Sequence, residues 1–280
     1  MTDFSEATDT QAGDAVINAA VILPDSLTEP LRQAFYRACL QHADDHLVIG
    51  HRLSEWCGHA PMLEEDLSMP NLALDLIGQA RVLYQSAATL SGDGRSEDDL
   101  AYLRTDREYY NCLLVERPNG DFAHTMLRQF YFSVVMQQWW QQLQQLQASP
   151  LQPLAGKASK EVAYHVRHTG EWVVRLGDGT DESRRRMQDA VVSLHPYIDE
   201  LFEVSDDIAA AVAAGWLPDA RSLREPCHAA IEAVLAVAQC EVPSVDYPQR
   251  GGRTGQHTED FGFLLAELQY LQRAYPGQQW

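Results

Sequence analysis

The chain has 280 residues, 45% of them hydrophobic, so it is long enough to bury a sizeable core. Its 21 lysines and arginines against 40 aspartates and glutamates give a formal charge of -19, which argues against nucleic acid and anionic membrane surfaces as partners. The apolar run AVINAAVIL near the start is too short to span a bilayer. Five scattered cysteines without a CxxC pair suit a reducing compartment and are interpreted as core thiols, and we expect the protein in the cytoplasm.

Helical signals dominate the chain, and the alternating pattern of strands is scarce. The first 28 residues are small, polar and unpatterned, which predicts a disordered tail before a single domain over residues 29–280. We therefore predict an all-α fold. The predicted helices, in chain order, cover about 30–56, 68–88, a short segment from Ser96, 121–147, a segment containing 159–177, 180–202, 219–239 and 258–275.

The segment SKEVAYHVRHTGEWVVRLGDG, residues 159–179, places acids and histidines on the apolar side of a helix. At about 100° per residue, Glu161, His165 and His168 share an arc with Trp172 and Leu176. Polar side chains of this segment therefore point toward the predicted core.

Two earlier helices also carry acids among apolar side chains. Asp75 and Gln79 fall on the inner arc of the second predicted helix, and Asp44 shares a stripe of the first helix with His51 and Glu55. Together with the later segment, these positions predict a buried polar layer.

Di-metal carboxylate bundles supply the pattern against which this layer is compared. They use a Glu from each of two helices and a Glu-x-x-His pair from each of two others. The second helix reads DLIG, with Gly78 where a histidine would stand, and Glu161 is followed three residues later by Tyr164. The sequence thus departs from the metal-binding pattern on both helices.

Two literal matches to the pattern remain. In EPCH, Glu225 precedes Pro226 at a predicted helix start, and no second pair accompanies it. The other match is explained by helix capping. Asp121 and His124 have the required spacing, but Asp121 follows a Pro-Asn-Gly turn, which predicts an N-cap. Lys157 stands one turn before Glu161 and is its predicted ion-pair partner. We expect a structural network with no metal, cofactor or catalytic residue in this chain. The candidates for the network are Asp44, Asp75, Asp121, Lys157, Glu161 and His165.

Several long motifs occur together in this chain and in the same order as in a known family. The chain resembles the C subunits of bacterial phenylacetyl-CoA epoxidases, which are ring 1,2-monooxygenases, from about residue 32 to residue 280. The motifs are GHRLSEWCGHAPMLEEDL, NLALDLIGQAR, LLVERPNGDFAHTMLRQF, KEVAYHVRHTGEWVVRLGDGT and LLAELQYLQRAYPGQQW. The resemblance implies a ferritin-like helical bundle with additional C-terminal helices.

The resemblance also implies a division of labour in aerobic phenylacetate breakdown. A catalytic A subunit holds the di-iron centre and epoxidises the ring of phenylacetyl-CoA, while a reductase subunit holds FAD and iron-sulfur centres. The C subunit is then a structural partner that braces the A subunit, in a complex of two A and two C chains.

Two other functions stay open at this point. The chain is an independently active ferritin-like di-iron oxidase if Asp44, Asp75, Asp121, Glu161 and His165 assemble a metal site. It is a regulatory binding module if it forms a pocket, which the sequence does not show.

Overall fold

The computed structural model describes Leu23 and residues 27–278. Most of the predicted tail, residues 1–28, lies outside the described residues. Over the described residues the chain forms ten α-helices and no strand, which confirms the all-α prediction. The helices are α1 (Glu29–Ser54), α2 (Leu63–Ser91), α3 (Glu97–Tyr102), α4 (Leu113–Glu116), α5 (Phe122–Gln145), α6 (Gln152–Gly177), α7 (Asp181–Leu194), α8 (Ala209–Ala213), α9 (Arg224–Val237) and α10 (Glu259–Ala274).

Four long helices form the central bundle. Helix α1 packs along α2, and α5 packs along α6, so that two helical hairpins face each other. Helices α7 and α9 pack on the α5–α6 hairpin, α8 packs on α1, and α10 contacts α3 and α4. Buried apolar side chains from these helices belong to one continuous cluster. The ferritin-like bundle with additional C-terminal helices is therefore confirmed, while the single-domain organisation over 29–280 stays a prediction.

Helix α2 starts earlier than the sequence analysis predicted. It begins at Leu63 rather than near Ser68, and Pro70 lies inside it instead of in its first turn. The three acids over 64–66 occupy the first turn, where the positive end of the helix dipole stabilises negative charge. This additional segment exposes apolar side chains on the outer side of α2.

Local capping explains other helix boundaries. The Asp121 carboxylate accepts a hydrogen bond from the His124 backbone N–H at 3.0 Å, so the predicted N-cap of α5 is confirmed. Helix α7 ends at Leu194, whereas the prediction extended it to Phe202, and short 3-10 turns fill most of the difference. The next turn contains Pro196, which has no N–H to continue the α-helical bonding.

Two surface properties complete the description of the fold. None of the helices in the described part of the chain combines the length and apolar character that spanning a membrane requires. Cys57 is exposed, while the other four cysteines are buried and unpaired. The interpretation of all five cysteines as core thiols was therefore wrong for Cys57.

Candidate functional site

The predicted polar residues do not converge on one site. Four of them lie along the contact between α2 and α6, Asp44 lies inside the bundle on α1, and Asp121 caps the start of α5. The four residues on the α2–α6 contact are Asp75, Lys157, Glu161 and His165.

Paired contacts join α2 to α6. His165 is fully buried, and its Nε2 lies 3.0 Å from Asp75 Oδ2. Gln79 Nε2 donates to Glu161 Oε2 at 2.9 Å, and Lys157 Nζ lies 3.4 Å from Glu161 Oε1. Both carboxylates are therefore already engaged by side chains of this chain.

A third acid on the same contact was not predicted. Glu65 is buried on α2, and its two oxygens face different donors on α6. His168 Nε2 lies 3.0 Å from Oε2, and Trp172 Nε1 donates to Oε1 at 2.9 Å. The side chains on the inward arc of α6, His165, His168 and Trp172, thus bind acids of α2 on successive turns.

The interior beside this contact contains neutral polar groups. His46 on α1 is fully buried near Gln79 and His165. Its Nδ1 donates to the His42 carbonyl oxygen at 2.7 Å, because a carbonyl can only accept. Burial lowers the pKa of His46 to about 4, so the imidazole is neutral at neutral pH.

These residues do not fit a di-iron centre. Such centres in helical bundles use several carboxylates that project inward together with histidines. Here the interior offers the imidazoles of His46 and His165 and the amide of Gln79, while Asp75 and Glu161 have partners on the neighbouring helix. In the part of the chain that the structure describes, no three His, Cys, Asp or Glu side chains are grouped as a metal ion requires.

The DLIG position also points away from the interior. Gly78 is exposed on α2, and a Cβ added there would meet no atom within 4 Å. A histidine at this position would therefore project from the surface of the bundle.

A second buried polar network involves residues that the sequence analysis did not single out, apart from Asp44. We define the carboxylate cluster as Asp44, Asp45, Glu116 and Glu200, all of them fully buried. Its acids come from α1, α4 and a 3-10 turn, and are therefore far apart in the sequence.

Each aspartate of α1 has its own buried arginine. Asp45 accepts from Arg253 Nη1 at 2.9 Å and lies 2.8 Å from Nη2 of the same side chain. Asp44 pairs with Arg104 and accepts from the Tyr84 hydroxyl at 2.5 Å. Two adjacent acids in the middle of a helix are therefore neutralised separately, as buried charges require.

The carboxylate cluster accepts hydrogen bonds from the backbone around residues 109–112. These residues have no regular secondary structure and lie between the 3-10 turn at Asp106–Glu108 and α4. Two backbone N–H groups of this segment and that of Leu113, the first residue of α4, donate to side-chain carboxylates: Tyr110 to Asp44 at 2.8 Å, Cys112 to Asp45 at 2.7 Å, and Leu113 to Glu200 at 2.7 Å. Buried backbone groups need such partners where no helix or sheet provides them. The ion pairs and backbone hydrogen bonds thus give the carboxylate cluster a structural role.

Glu116, the remaining acid of the carboxylate cluster, binds His257 near the start of α10. His257 Nδ1 contacts the Glu116 carboxylate, and His257 Nε2 lies 3.0 Å from the Tyr109 carbonyl oxygen. Both partners accept hydrogen bonds, so both ring nitrogens must carry protons. Burial opposes the charge, but Glu116 outweighs it and raises the pKa of His257.

This geometry predicts a pH-dependent contribution to stability. A raised folded-state pKa stabilises the protein fully below the ordinary value of 6.5, and this contribution is lost as pH rises through the folded-state pKa. Replacing His257 with glutamine is expected to cost about 1.5–3 kcal/mol at pH 6, as for hydrogen bonds to charged groups. Urea unfolding of both proteins from pH 6 to pH 9 should show the difference shrinking. A constant difference would contradict a charged His257.

The surface carries a shallow apolar groove along α10. Thr105 and Asp106 form one side, and Leu265, Gln269 and Tyr270 are among the residues on the other. The groove is open to solvent, and the titratable side chains that line it are Asp106, Tyr270 and Arg273.

The sequence matches the profile of the family described as phenylacetic acid catabolic protein over residues 20–280. Among curated proteins, it is 43% identical over 241 residues to the C subunit of the 1,2-phenylacetyl-CoA epoxidase of Escherichia coli (strain K12). That alignment covers 86% of this chain and 97% of the relative. With a bundle of the expected architecture and a match over nearly its whole length, the chain belongs to the phenylacetic acid catabolic protein family.

Proposed function

We propose that this chain is a structural, non-catalytic subunit of a multi-subunit epoxidase that acts on phenylacetyl-CoA. The Escherichia coli relative is named as one subunit of the 1,2-phenylacetyl-CoA epoxidase, which supports both this activity for the complex and the existence of partner subunits. The observation that carries the non-catalytic role is the engagement of the inward carboxylates by side chains and backbone groups of the chain itself.

In this proposal the chain braces the catalytic subunit. Two sets of contacts fix the relative positions of the helices: the paired contacts between α2 and α6, and the carboxylate cluster. The outer faces of the bundle therefore form a rigid surface. Obligate interfaces between subunits are large and more hydrophobic than other interfaces. The di-iron centre then belongs to the catalytic A subunit, and FAD and iron-sulfur centres belong to the reductase subunit. The cytoplasmic location stays a prediction.

Iron binding separates this proposal from an independent di-iron oxidase. The purified chain is incubated anaerobically with excess Fe(II), desalted and analysed for iron. We expect much less than one iron per chain, because the carboxylates at the α2–α6 contact are already paired.

The catalytic A subunit, treated in the same way, is the positive control. About two irons per chain, as in a dinuclear site, would overturn the proposal. In that case Glu161→Gln and His165→Gln are the first variants to test for loss of iron, since both residues lie on the arc of α6 that was predicted to face the core.

A further inference from the structure

The outer side of α2 carries a row of exposed leucines. Leu63 is 70% exposed, Leu67 is 61% exposed and Leu74 is 66% exposed. Pro70 lies between Leu67 and Leu74, Ile77 follows Leu74, and both are partly buried. Ile77 also lies against α1, since its Cγ1 is 2.9 Å from the position of a Cβ added at Gly50. We call the three leucines, Pro70 and Ile77 the α2 ridge. Single exposed leucines are common on protein surfaces, whereas a contiguous exposed apolar patch is typical of an interaction site.

The spacing of the α2 ridge indicates what covers it. Its residues follow one another at intervals of four, three, four and three, which is the 3.5-residue repeat of a helix-to-helix seam. Two helices joined by such a seam pack lengthwise, with a crossing angle of about 20°. The ridge spans about 21 Å at 1.5 Å per residue. Its shape therefore fits another helix.

The charge around the ridge selects the kind of helix. Residues 61–80 contain four acids and no lysine or arginine, and Arg81, which follows on the same stripe, is ion-paired with Glu97 at 3.6 Å. Of these acids, Glu64 is exposed and Asp66 and Asp75 are partly exposed. A second copy of this chain, whose formal charge is -19, would place acids against acids. A helix with lysines or arginines beside its apolar stripe is complementary.

Gly78 adds a steric feature at the end of the ridge. It is exposed, and nothing lies within 4 Å of the position that its Cβ would occupy. The absence of a side chain allows a neighbouring helix to approach the backbone closely. The structure therefore leaves room beside Leu74 for a bulky side chain of the partner.

We propose that the α2 ridge binds an amphipathic helix of another subunit of the same enzyme, with an apolar stripe flanked by basic residues. The proposal rests on the proposed function, since it requires that the chain assembles with other subunits. It specifies the surface and the chemistry of that assembly.

Site-directed photo-crosslinking tests the position of the partner. In a Cys57→Ser background, which removes the exposed native cysteine, Leu67→Cys and Val237→Cys are each labelled with a benzophenone maleimide. Val237 on α9 is also 61% exposed and serves as the matched control. Each labelled chain is mixed with the remaining purified subunits, irradiated and mapped by mass spectrometry.

We expect position 67 to crosslink to a helix of another subunit with basic flanks, and position 237 to give at most a minor product. A crosslink from position 67 to a second copy of this chain would overturn the proposal. So would the absence of any crosslink from position 67 in a complex that has formed.

A binding measurement provides the second test. The double variant Leu67→Glu/Leu74→Glu is expected to bind the other subunits at least about 100-fold more weakly, as for the loss of two central apolar contacts. The control Val192→Glu/Val237→Glu changes two residues that are 56% and 61% exposed, and its affinity is expected to stay near that of the unsubstituted chain. Circular dichroism checks that both variants keep their helices.

The outcomes separate the two proposals. If the unsubstituted chain fails to bind any other subunit, the proposed function itself is wrong. If the unsubstituted chain binds and the ridge variant binds equally well, the proposed function stands and the α2 ridge is not the interface.

Discussion

Replacing Asp45 with alanine is expected to lower the free energy of unfolding by about 3–5 kcal/mol, which is typical for breaking a buried ion pair from one side. Asp45 is fully buried, and it binds both Arg253 and the Cys112 backbone N–H. Its removal leaves a buried guanidinium without its carboxylate and a buried amide without its acceptor. The loss is measured by urea unfolding monitored by circular dichroism.

Two controls test whether charge imbalance is the cause. Asp189→Ala breaks an exposed pair with Arg185 on α7 and is expected to cost at most about 1 kcal/mol. Asp45→Ala combined with Arg253→Met removes both charges and is expected to be more stable than Asp45→Ala alone. If Asp45→Ala costs no more than Asp189→Ala, the buried pair does not stabilise the fold as described.

Gly252→Ala is expected to destabilise the protein by about 1–3 kcal/mol, the usual cost of overpacking. The Cβ added at Gly252 would overlap the Asn111 carbonyl oxygen, which belongs to backbone and cannot rotate away. Movement of either segment would also disturb Arg253 and the carboxylates that hold residues 110–113. Thermal and urea unfolding measure the change.

The matched control is Gly262→Ala on α10. A Cβ at Gly262 meets no atom within 4 Å, so the substitution adds only helix propensity. It is expected to raise the free energy of unfolding by up to about 1 kcal/mol. Equal effects of the two substitutions would show that the close approach of Gly252 to Asn111 is unimportant.

Helix positions were predictable because their signals are local. The Asp121 N-cap and the Ser96 capping box lie within a few residues of the helices that they start. The start of α2 was misplaced because Pro70 resembles a first-turn proline, whereas the structure places it at the eighth residue of a longer helix. The segment that was missed holds Leu63 and Leu67, so the α2 ridge was hidden with it.

The buried network was less predictable because its contacts are distant in the sequence. Asp45 and Arg253 are separated by 208 residues, and nothing local indicates that they meet. The available signal was the adjacent pair Asp44 and Asp45, which lies on α1 between the apolar stretches 38–40 and 47–49. Helical periodicity identified Glu161 and His165 as inward, yet it could not show that their partners are side chains of α2.

The pairing of Asp45 with Arg253 also sets the order in which the chain can fold. Asp45 belongs to the first helix, and its arginine precedes the last one. A ribosome that has made α1 to α9 has not yet supplied that cation, and an unpaired buried acid is unfavourable. The native interior of this protein is therefore completed only after Arg253 has been synthesised. Until then the nascent chain would carry an incompletely packed bundle that is exposed to chaperones and proteases.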